Sequence, residues 1–387
     1  MYTFVTVFQE RGDKLSDLSL ILLAAGESSR FEHPVKKQWL RIGHDPLWYF
    51  VADRMSKSGH FKQVIVTAHP DEVTFMHTYG NFHVVTGGNS RQESLKRALE
   101  CVDSTHVVVS DIARACIDAA FLEALISRRG EADCIVPSLR VSDTVVYDDA
   151  TIDRNKVRRV QTPQLSKTAV LRKALESDTE FTDESSAIVA AGGTRCFIEG
   201  HDDAHKLTYL SDLKHLPCLT PPSPATLTGN GFDVHAFDDK GDMFLGGVKI
   251  ASDFGFKAHS DGDVAIHALI DALLGAAGLG DIGMLFPDND AAYENIDSKI
   301  LLERTVKRLH QFGYVIVNAD ITIAAQTPRL SPYKETMRRT LAALLHIPAS
   351  RMNVKATTTE RLGFVGREEG VAVLANASLN YFDWTKQ

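Results

Sequence analysis

Apolar and polar positions divide the chain into two patterned halves joined by a proline-rich stretch. In the first half, apolar runs alternate with amphipathic segments. Residues 18–24 read as a buried strand, 47–57 as a helix, 63–68 as a strand, 90–100 as a helix and 106–110 as a strand. Such alternation predicts an α/β sheet of mostly parallel order, whose ligands collect beyond the carboxyl ends of its strands. Pro217, Pro221, Pro222 and Pro224 then interrupt any helix or central strand and predict an extended, semi-rigid connector. The same stretch also fits a proline-rich docking ligand. In the second half, the run around Asp233 reads as a strand, and residues 264–274 as a strongly apolar helix weakened at Gly275.

Length supports that division, because 387 residues exceed the usual size of one hydrophobic core. The expected domains are residues 1–215 and 228–387, with 216–227 as connector. Residues 1–17 are expected to be a short extension before the first strand. A composition of 44% hydrophobic and 24% charged residues is that of globular protein. The net charge of −8 speaks against a nucleic-acid partner or an anionic membrane surface, while leaving room for local basic pockets that take phosphates. The 5 cysteines are odd in number and form no Cys-x-x-Cys pair, so neither a disulfide framework nor a cysteine zinc site is expected, and a reducing cytoplasm is. No segment approaches the ~20 apolar residues that span a bilayer.

Two clusters in the second half carry metal-compatible chemistry. Asp233 and His235 stand two apart on the expected strand and leave the same face, and His267 falls in the first turn of the expected helix. One Asp and two His suit zinc, and three protein ligands leave a fourth position for a substrate oxygen. Taken alone, the same residues also fit a hydrogen-bonded strand histidine and a partly buried helix histidine. In the first half, the run from Leu22 to Arg30 leaves its strand through Ala24, Ala25 and Gly26. Small side chains let backbone N–H groups approach a nucleotide, and Arg30, Lys36 and Lys37 bring positive charge for phosphates. A solvated loop would have the same composition. Two further loops, Thr86-Gly87-Gly88-Asn89-Ser90-Arg91-Gln92-Glu93-Ser94 and Ser110-Asp111-Ile112-Ala113-Arg114, sit before a helix and at a strand end.

With Ala24-Ala25-Gly26 and Lys37-Gln38, these loops resemble 2-C-methyl-D-erythritol 4-phosphate cytidylyltransferase, a nucleotidyltransferase of Rossmann-like fold, over roughly residues 18–213. The resemblance implies that Arg30 and Lys37 stabilise charge on the attacked α-phosphate. Ala24, Ala25, Gly26, Gly88, Asn89, Ser94, Asp111 and Arg114 would bind the nucleotide. Thr144, Arg154 and Lys206 would form the acceptor pocket, lined also by Thr162-Pro163-Gln164 and Thr182-Asp183-Glu184-Ser185. Mg²⁺ or Mn²⁺ would accompany CTP. The chain departs from the family with Ser28 for a second glycine, Lys36 for a proline, and Ser110, Ile112 and Ala115 within a His-Asp-Ala-Ala-Arg-Pro motif.

The second half resembles 2-C-methyl-D-erythritol 2,4-cyclodiphosphate synthase over about residues 228–383. The likeness is carried by the Asp233, His235 and His267 clusters, by Gly280-Asp281-Ile282-Gly283-Met284-Leu285-Phe286-Pro287-Asp288, and by the run from Asn353 to Phe364. It implies zinc, or another divalent cation, on Asp233, His235 and His267. It places His259 and Ser260 on the substrate phosphate, and Asp281, Gly283, Phe286 and Asp288 on the erythritol portion. Thr357, Thr358 and Phe364 would serve the diphosphate region, with Thr358 and Glu360 catalytic, Glu360 also holding a second divalent cation (Mg²⁺ or Mn²⁺), and Arg367 a further contact. The stretch from Ala325 to Ser331 would surround cytosine.

A bifunctional enzyme of the methylerythritol phosphate pathway is therefore expected, an α/β protein with a Rossmann-like cytidylyltransferase domain and an α/β cyclodiphosphate synthase domain. Its small-molecule partners would be CTP, methylerythritol phosphate and diphosphocytidyl-methylerythritol 2-phosphate. The resemblance also implies a homo-oligomer, a trimer through the second domain and a D₃ hexamer if the first domain pairs as well. Association with the kinase acting between the two reactions is a further expectation. The alternatives are a non-enzymatic nucleotide- and metal-binding scaffold for that kinase, or a sugar-phosphate nucleotidyltransferase fused to a metal phosphatase.

Overall fold

The computed structural model describes residues 17–80, 82–239, 241–257, 260–287, 293 and 296–386. The chain packs as two compact units. One takes the described residues up to Glu32 together with Asp45–Leu219, and the other takes His33–His44 together with the described residues from Thr220 onward.

The first unit is built on an eight-stranded sheet. Its strands are β1 (Leu18–Leu23), β2 (Gln63–Ala68), β3 (His83–Thr86), β4 (His106–Asp111), β5 (Cys134–Arg140), β6 (Arg158–Val160), β7 (Gln164–Lys167) and β8 (Arg195–Glu199). The order is β6-β5-β7-β4-β1-β2-β3, with β8 paired to β5. β1, β2, β3 and β4 run parallel, as do β5 and β8, whereas β7 runs antiparallel to β4 and β5 and β6 antiparallel to β5. The sheet is thus largely parallel, as the alternation of elements predicts. β1 lies inside the sheet between β4 and β2 and is buried along its whole length. This is why its sequence is apolar at every position but Ser19, whose hydroxyl donates to Gln63 and accepts from Ser104, rather than alternating. Ile21, Ile65, Val107, Val109, Cys134 and Val136 of the sheet pack on Leu95, Ala98 and Leu99 of helix α2 (Arg91–Glu100) and on Ala187 and Ile188 of α3 (Glu184–Ala190). Helix α1 (Leu47–Ser56) precedes β2, as expected from its apolar spacing. β1 stops one residue short of the expected end because the N–H of Ala24 donates to Thr67 Oγ1 at 3.2 Å.

In the second unit a five-stranded sheet has the order β10-β9-β13-β11-β12, from β9 (Leu227–Asp238), β10 (Gly255–Phe256), β11 (Tyr314–Ala324), β12 (Met352–Thr357) and β13 (Gly370–Tyr381). Burial alternates strictly along β9, and Gly229, Gly231, Asp233 and His235 share the more buried face. Helix α4 (Val264–Ala277) lies against that face at unusually close range. A Cβ added at Gly231 would stand 2.0 Å from the Ala268 carbonyl oxygen, and one at Gly229 2.3 Å from that of Ala272. The expected weakening at Gly275 does not end the helix. It runs on to Ala277 and closes at Gly278 in the left-handed conformation, and added bulk at Gly275 would meet nothing nearer than 3.8 Å.

The segment His33–His44 is a working part of the second unit's core. Trp39 stacks on Phe312 with ring centroids 4.1 Å apart, and Arg41 lies over the rings of Tyr314 and Tyr381 while donating to the Tyr314 hydroxyl at 2.9 Å. Gly43 bonds both sides of Pro222 within the proline-rich stretch, donating to the Pro221 carbonyl and accepting from the N–H of Ser223. The stretch opens on a turn, the N–H of Leu219 donating to the Leu216 carbonyl at 3.2 Å, and pairs with Gly43 at Pro222. One cysteine expectation is corrected: Cys116 and Cys218 form a disulfide across a separation of 102 residues. Folding brings their Cα atoms within 5.5 Å, a proximity that spacing along the chain cannot convey. Cys101, Cys134 and Cys196 are free thiols.

The glycine contacts predict opposite outcomes for two conservative changes. Gly231→Ala should destabilise the second unit by about 3 kcal/mol, the upper range for overpacking, because the helix backbone must retreat. Gly275→Ala should stabilise it by about 0.5–1 kcal/mol. Urea denaturation of both variants checks the pair. Equal stabilities would mean the strand and helix are not held at this spacing.

Candidate active sites

The expected nucleotide loops gather at the carboxyl ends of β1, β3 and β4. Ala24, Ala25 and Gly26 leave β1, Ser28 takes the left-handed conformation at φ 57°, and Arg30 is exposed in the turn Ser29–Phe31. Gly87 is required here, because a Cβ on it would sit 2.4 Å from that of Ala25 and 2.9 Å from Ser94 Oγ. The loop after β3 therefore rests directly on the loop after β1. Ser94 Oγ accepts from the N–H of Gly88 at 3.0 Å, and exposed Asn89 is held by its N–H on Glu93 Oε2 at 2.7 Å. Lys37 opens the turn Lys37–Trp39 in the second packing unit.

Asp111, at the end of β4, is the electrostatic hub of the first unit. Lys206 Nζ donates to its Oδ2 at 2.7 Å, Arg91 Nε to its Oδ1 at 3.3 Å, and Thr162 Oγ1 to Oδ2 at 3.4 Å. Arg114 Nε donates to Thr162 Oγ1 at 2.9 Å. Burial alone would raise the Asp111 pKa, but Arg91 and Lys206 hold it well below the ordinary carboxylate range, so it stays anionic. Arg91 also donates to Glu184 Oε1 at 2.7 Å. Glu184 is fully buried, and burial, only partly offset by Arg91, pushes its pKa up. The runs 162–164 and 182–185 do meet, through Gln164 Nε2 donating to Asp183 Oδ2 at 2.8 Å and the N–H of Ser185 donating to Gln164 Oε1 at 3.0 Å. Thr144 and Arg154 lie instead on an exposed stretch, where Arg154 donates to the Ser142 carbonyl at 2.5 Å. Neither joins the Asp111 cluster among the described hydrogen bonds.

In the second unit Asp233, His235 and His267 offer ligand atoms that all lie within 4.8 Å of one another. Asp233 Oδ2 stands 3.2 Å from His235 Nε2 and 3.4 Å from His267 Nδ1. The other ring nitrogens are occupied, His235 Nδ1 by the Gly262 carbonyl at 2.9 Å and His267 Nε2 by Ser298 Oγ at 3.0 Å and Ser260 Oγ at 3.2 Å. Each imidazole is thus anchored from behind with one nitrogen facing the carboxylate, the donor set and outer bonding that a zinc site needs. Burial would raise the Asp233 pKa and lower that of His235; their mutual bond reverses both, depressing Asp233 and raising His235.

The remaining expected residues divide between two regions. Asp281 caps the short helix α5 (Ile282–Leu285) by accepting from the N–H of Met284 at 2.9 Å, with exposed Gly283 inside it and buried Phe286 just after it. This segment is tied one turn beyond His267, where Asp271 Oδ1 accepts from the N–H of Ile282 at 2.8 Å. His259 and Asp288 lie outside the described residues. Thr357, Thr358 and Glu360 follow β12, with Thr358 Oγ1 donating to Glu360 Oε1 at 3.0 Å and Glu360 and Arg361 both at positive φ. Phe364 and Arg367 are exposed, Arg367 pairing with Glu369 at 2.8 Å. The residues from Ala325 share this edge, since the N–H of Ala325 donates to the Thr357 carbonyl. The sheet register sets Val234 beside Ala372, Ala372 beside Ala324 and Ala324 beside Thr357. Three strand steps thus separate the threonines from the Asp233 strand, about 14 Å. The fold does not bring the two groups together within one chain.

Sequence reading gave no role to Arg91, Asp271, Asp261 and Ser298, and took Glu184 only as part of the run lining the acceptor pocket. Asp271 had a signal, being four residues after His267 and on the same helix face. Arg91 stands inside a quoted motif, but nothing in its spacing announces two buried carboxylates.

Residues 18–217 match the family described as 2-C-methyl-D-erythritol 4-phosphate cytidylyltransferase, and residues 226–380 match the YgbB family. The bifunctional enzyme IspD/IspF of Sulfurimonas denitrificans is 61% identical over 386 residues, covering 100% of both chains. That of Nitratiruptor sp. is 53% identical, covering 96% of this chain and 100% of its own. The solved structure of the bifunctional IspDF from Campylobacter jejuni has a TM-score of 0.88 at 48% identity, covering 96% of this chain and 100% of that one. No helix among the described residues is long and apolar enough to cross a membrane.

Arg91 generates a prediction with a definite pH sign. Arg91→Leu leaves Glu184 buried without its cation, and its Oε2 already lacks a hydrogen-bond partner. The variant should lose about 3–5 kcal/mol at pH 7. Because the Glu184 pKa is already raised, Glu184 takes up a proton as pH falls, and the deficit relative to the parent should shrink by pH 5. Denaturation midpoints at the two pH values measure this, and a constant or growing deficit would remove Glu184 as its source.

Proposed function

The chain belongs to the bifunctional IspD/IspF enzymes, and on that footing we propose how its residues divide the two reactions. The first half is a CTP:methylerythritol phosphate cytidylyltransferase and the second a cyclodiphosphate synthase, both serving isoprenoid precursor synthesis. In the first reaction, Arg30 and Lys37 stabilise charge on the α-phosphate of CTP as the 4-phosphate of methylerythritol phosphate attacks and diphosphate leaves. Ala24, Ala25, Gly26 and Gly88 present backbone to the nucleotide, with Asn89 and Ser94 beside it. The anionic Asp111 with Lys206 and Arg114 forms the polar floor of the site, and Thr144 and Arg154 approach the acceptor. Mg²⁺ or Mn²⁺ accompanies CTP.

In the second reaction the 2-phosphate of diphosphocytidyl-methylerythritol 2-phosphate attacks the β-phosphorus of its own diphosphate and CMP leaves. The single observation that carries this reading is the Asp233, His235 and His267 triad, with one nitrogen of each ring already bonded from behind. Asp233, His235 and His267 would hold zinc and Glu360 a second divalent cation, which would supply positive charge against the diphosphate, while the residues that fix the substrate in line make the attack intramolecular. His259 and Ser260 hold the 2-phosphate, Asp281, Gly283, Phe286 and Asp288 the erythritol, and Thr357, Thr358, Phe364 and Arg367 the diphosphate region.

The distance of about 14 Å between the threonines and the Asp233 strand supports a site completed by a neighbouring copy. So does the apolar face of the sheet turned away from α4, where Phe232 is 59% and its cross-strand partner Leu374 53% exposed. A trimer of second units, extended to a D₃ hexamer if the first units also pair, satisfies both. The kinase that must act between the two reactions is the natural further partner, and CTP as substrate fits a cytoplasmic setting.

Product analysis on the intact chain tests the division of labour. Arg30→Ala and Lys37→Ala should each lower pyrophosphate release by ~10²-fold or more and leave CMP release unchanged. Asp233→Ala, His235→Ala and His267→Ala should do the reverse and lose bound metal. Normal cytidylyl transfer in either basic variant would eliminate its transition-state role. Subunit sharing has its own test: chains carrying Asp233→Ala and chains carrying Thr358→Ala, each inactive in cyclisation, should regain activity when co-assembled. Failure of mixed oligomers to recover any activity would place each site within a single chain.

A further inference from the structure

Behind His267 stands a pair of groups that the reactions above leave without a role. Ser298, completely buried, is the first residue of helix α6 (Ser298–Gln311). Its Oγ donates to Asp261 Oδ1 at 2.5 Å and its N–H to Asp261 Oδ2 at 3.2 Å. The carboxylate is itself oriented, with Oδ1 accepting from the N–H of Asp263 at 3.3 Å and the N–H of Asp261 bonded to the Ile296 carbonyl at 3.1 Å. A serine hydroxyl has one proton to give. With that proton committed to Asp261, Ser298 Oγ can only accept from His267 Nε2, 3.0 Å away. His267 must then carry its proton on Nε2, which leaves the Nδ1 lone pair free on the side of Asp233 Oδ2, 3.4 Å off.

We propose that Ser298, backed by Asp261, is the positioning residue that fixes the tautomer and ring orientation of His267 for metal binding. Outer partners of this kind set ligand geometry in metal sites, and their loss weakens affinity without removing a ligand. Ser260 plays a different part. Its Oγ also lies 3.2 Å from His267 Nε2, but it is only partly buried, and no described acceptor takes its proton. It is therefore the serine that can turn to a substrate phosphate, while Ser298 stays on the histidine. The inference rests on the metal reading of the triad.

Zinc affinity of the full-length chain, measured by competition with a chromophoric chelator, tests it. Ser298→Ala should weaken zinc binding by roughly 10- to 100-fold. Asp261→Ala, which frees the Ser298 proton, should weaken it in the same direction, and Ser298→Thr should restore it to within a few-fold. Ser260→Ala should keep parental zinc affinity and raise KM for cyclisation instead. CMP release by Ser298→Ala should return at saturating zinc, and unchanged pyrophosphate release confirms a folded chain. Parental zinc affinity in Ser298→Ala overturns the positioning role, as does a larger loss in Ser260→Ala than in Ser298→Ala. A parent chain that takes up no zinc at all instead overturns the metal reading beneath it.

Discussion

The close approach of helix α4 to strand β9 is the contact on which the second unit's chemistry depends. Side chains at Gly229 and Gly231 would stand 2.3 and 2.0 Å from helix carbonyl oxygens, so only hydrogen fits there. The same strand face continues into Asp233 and His235, and the same helix opens with His267 in its first turn. Two glycines therefore set the distance between the three groups of the candidate metal site, which come from different elements. Had either carried a methyl group, the helix would ride outward and take His267 with it. Asp263 reinforces this at the helix start, capping Ile266 at 3.1 Å while accepting from the N–H groups of Gly246 at 2.8 Å and Gly247 at 2.6 Å.

The two units solve different electrostatic problems. Around Asp111 the carboxylate is surrounded by permanent cations, Arg91 and Lys206, with Arg114 one bond further off, so its charge is settled before any substrate arrives. Such a hub suits a reaction whose main demand is to hold a triphosphate and an acceptor in fixed register. Around Asp233 the partners are imidazoles, which can give up protons. The bonds that now raise His235 and depress Asp233 occupy the ligand atoms a cation would take. The first site is built around charges that persist, the second around charges that exchange.

Legibility in the sequence followed the range of the interactions. Central strands such as β1 and β2 announce themselves by mainly apolar runs, and strand and helix periodicity marks Asp233, His235 and His267 as metal-compatible, because those signals are local. The loops at the strand ends were readable for the same reason. What escaped depends on chain segments far apart in sequence. Arg91 meets Glu184 across 93 residues, Ser298 meets Asp261 across 37, and Cys116 meets Cys218 across 102. Buried ion pairs and hydrogen bonds of that kind have no periodicity, and each residue alone has the composition of an ordinary surface group. Thr358 and Glu360 show the complementary case, a motif recognisable by its residues although its place relative to the Asp233 strand is set only by strand order.

The packing of His33–His44 bears on how the two activities can be separated. Trp39, Arg41 and Gly43 find their stacking, cation–π and backbone partners in Phe312, Tyr314, Tyr381 and the proline-rich stretch. Cutting the chain within residues 216–227 would leave this segment on a fragment that lacks the surfaces it packs on. The indole of Trp39 and the guanidinium of Arg41, both now fully buried, would be exposed together with the ring faces they cover. The loss falls on both products of the cut, since Phe312 and the two tyrosines lose the side chains that shield them. Apolar burial favours the uncut chain strongly enough that a fragment ending in the proline-rich stretch is a poor measure of what the first half does. Single substitutions in the intact chain keep these contacts while removing one reaction at a time.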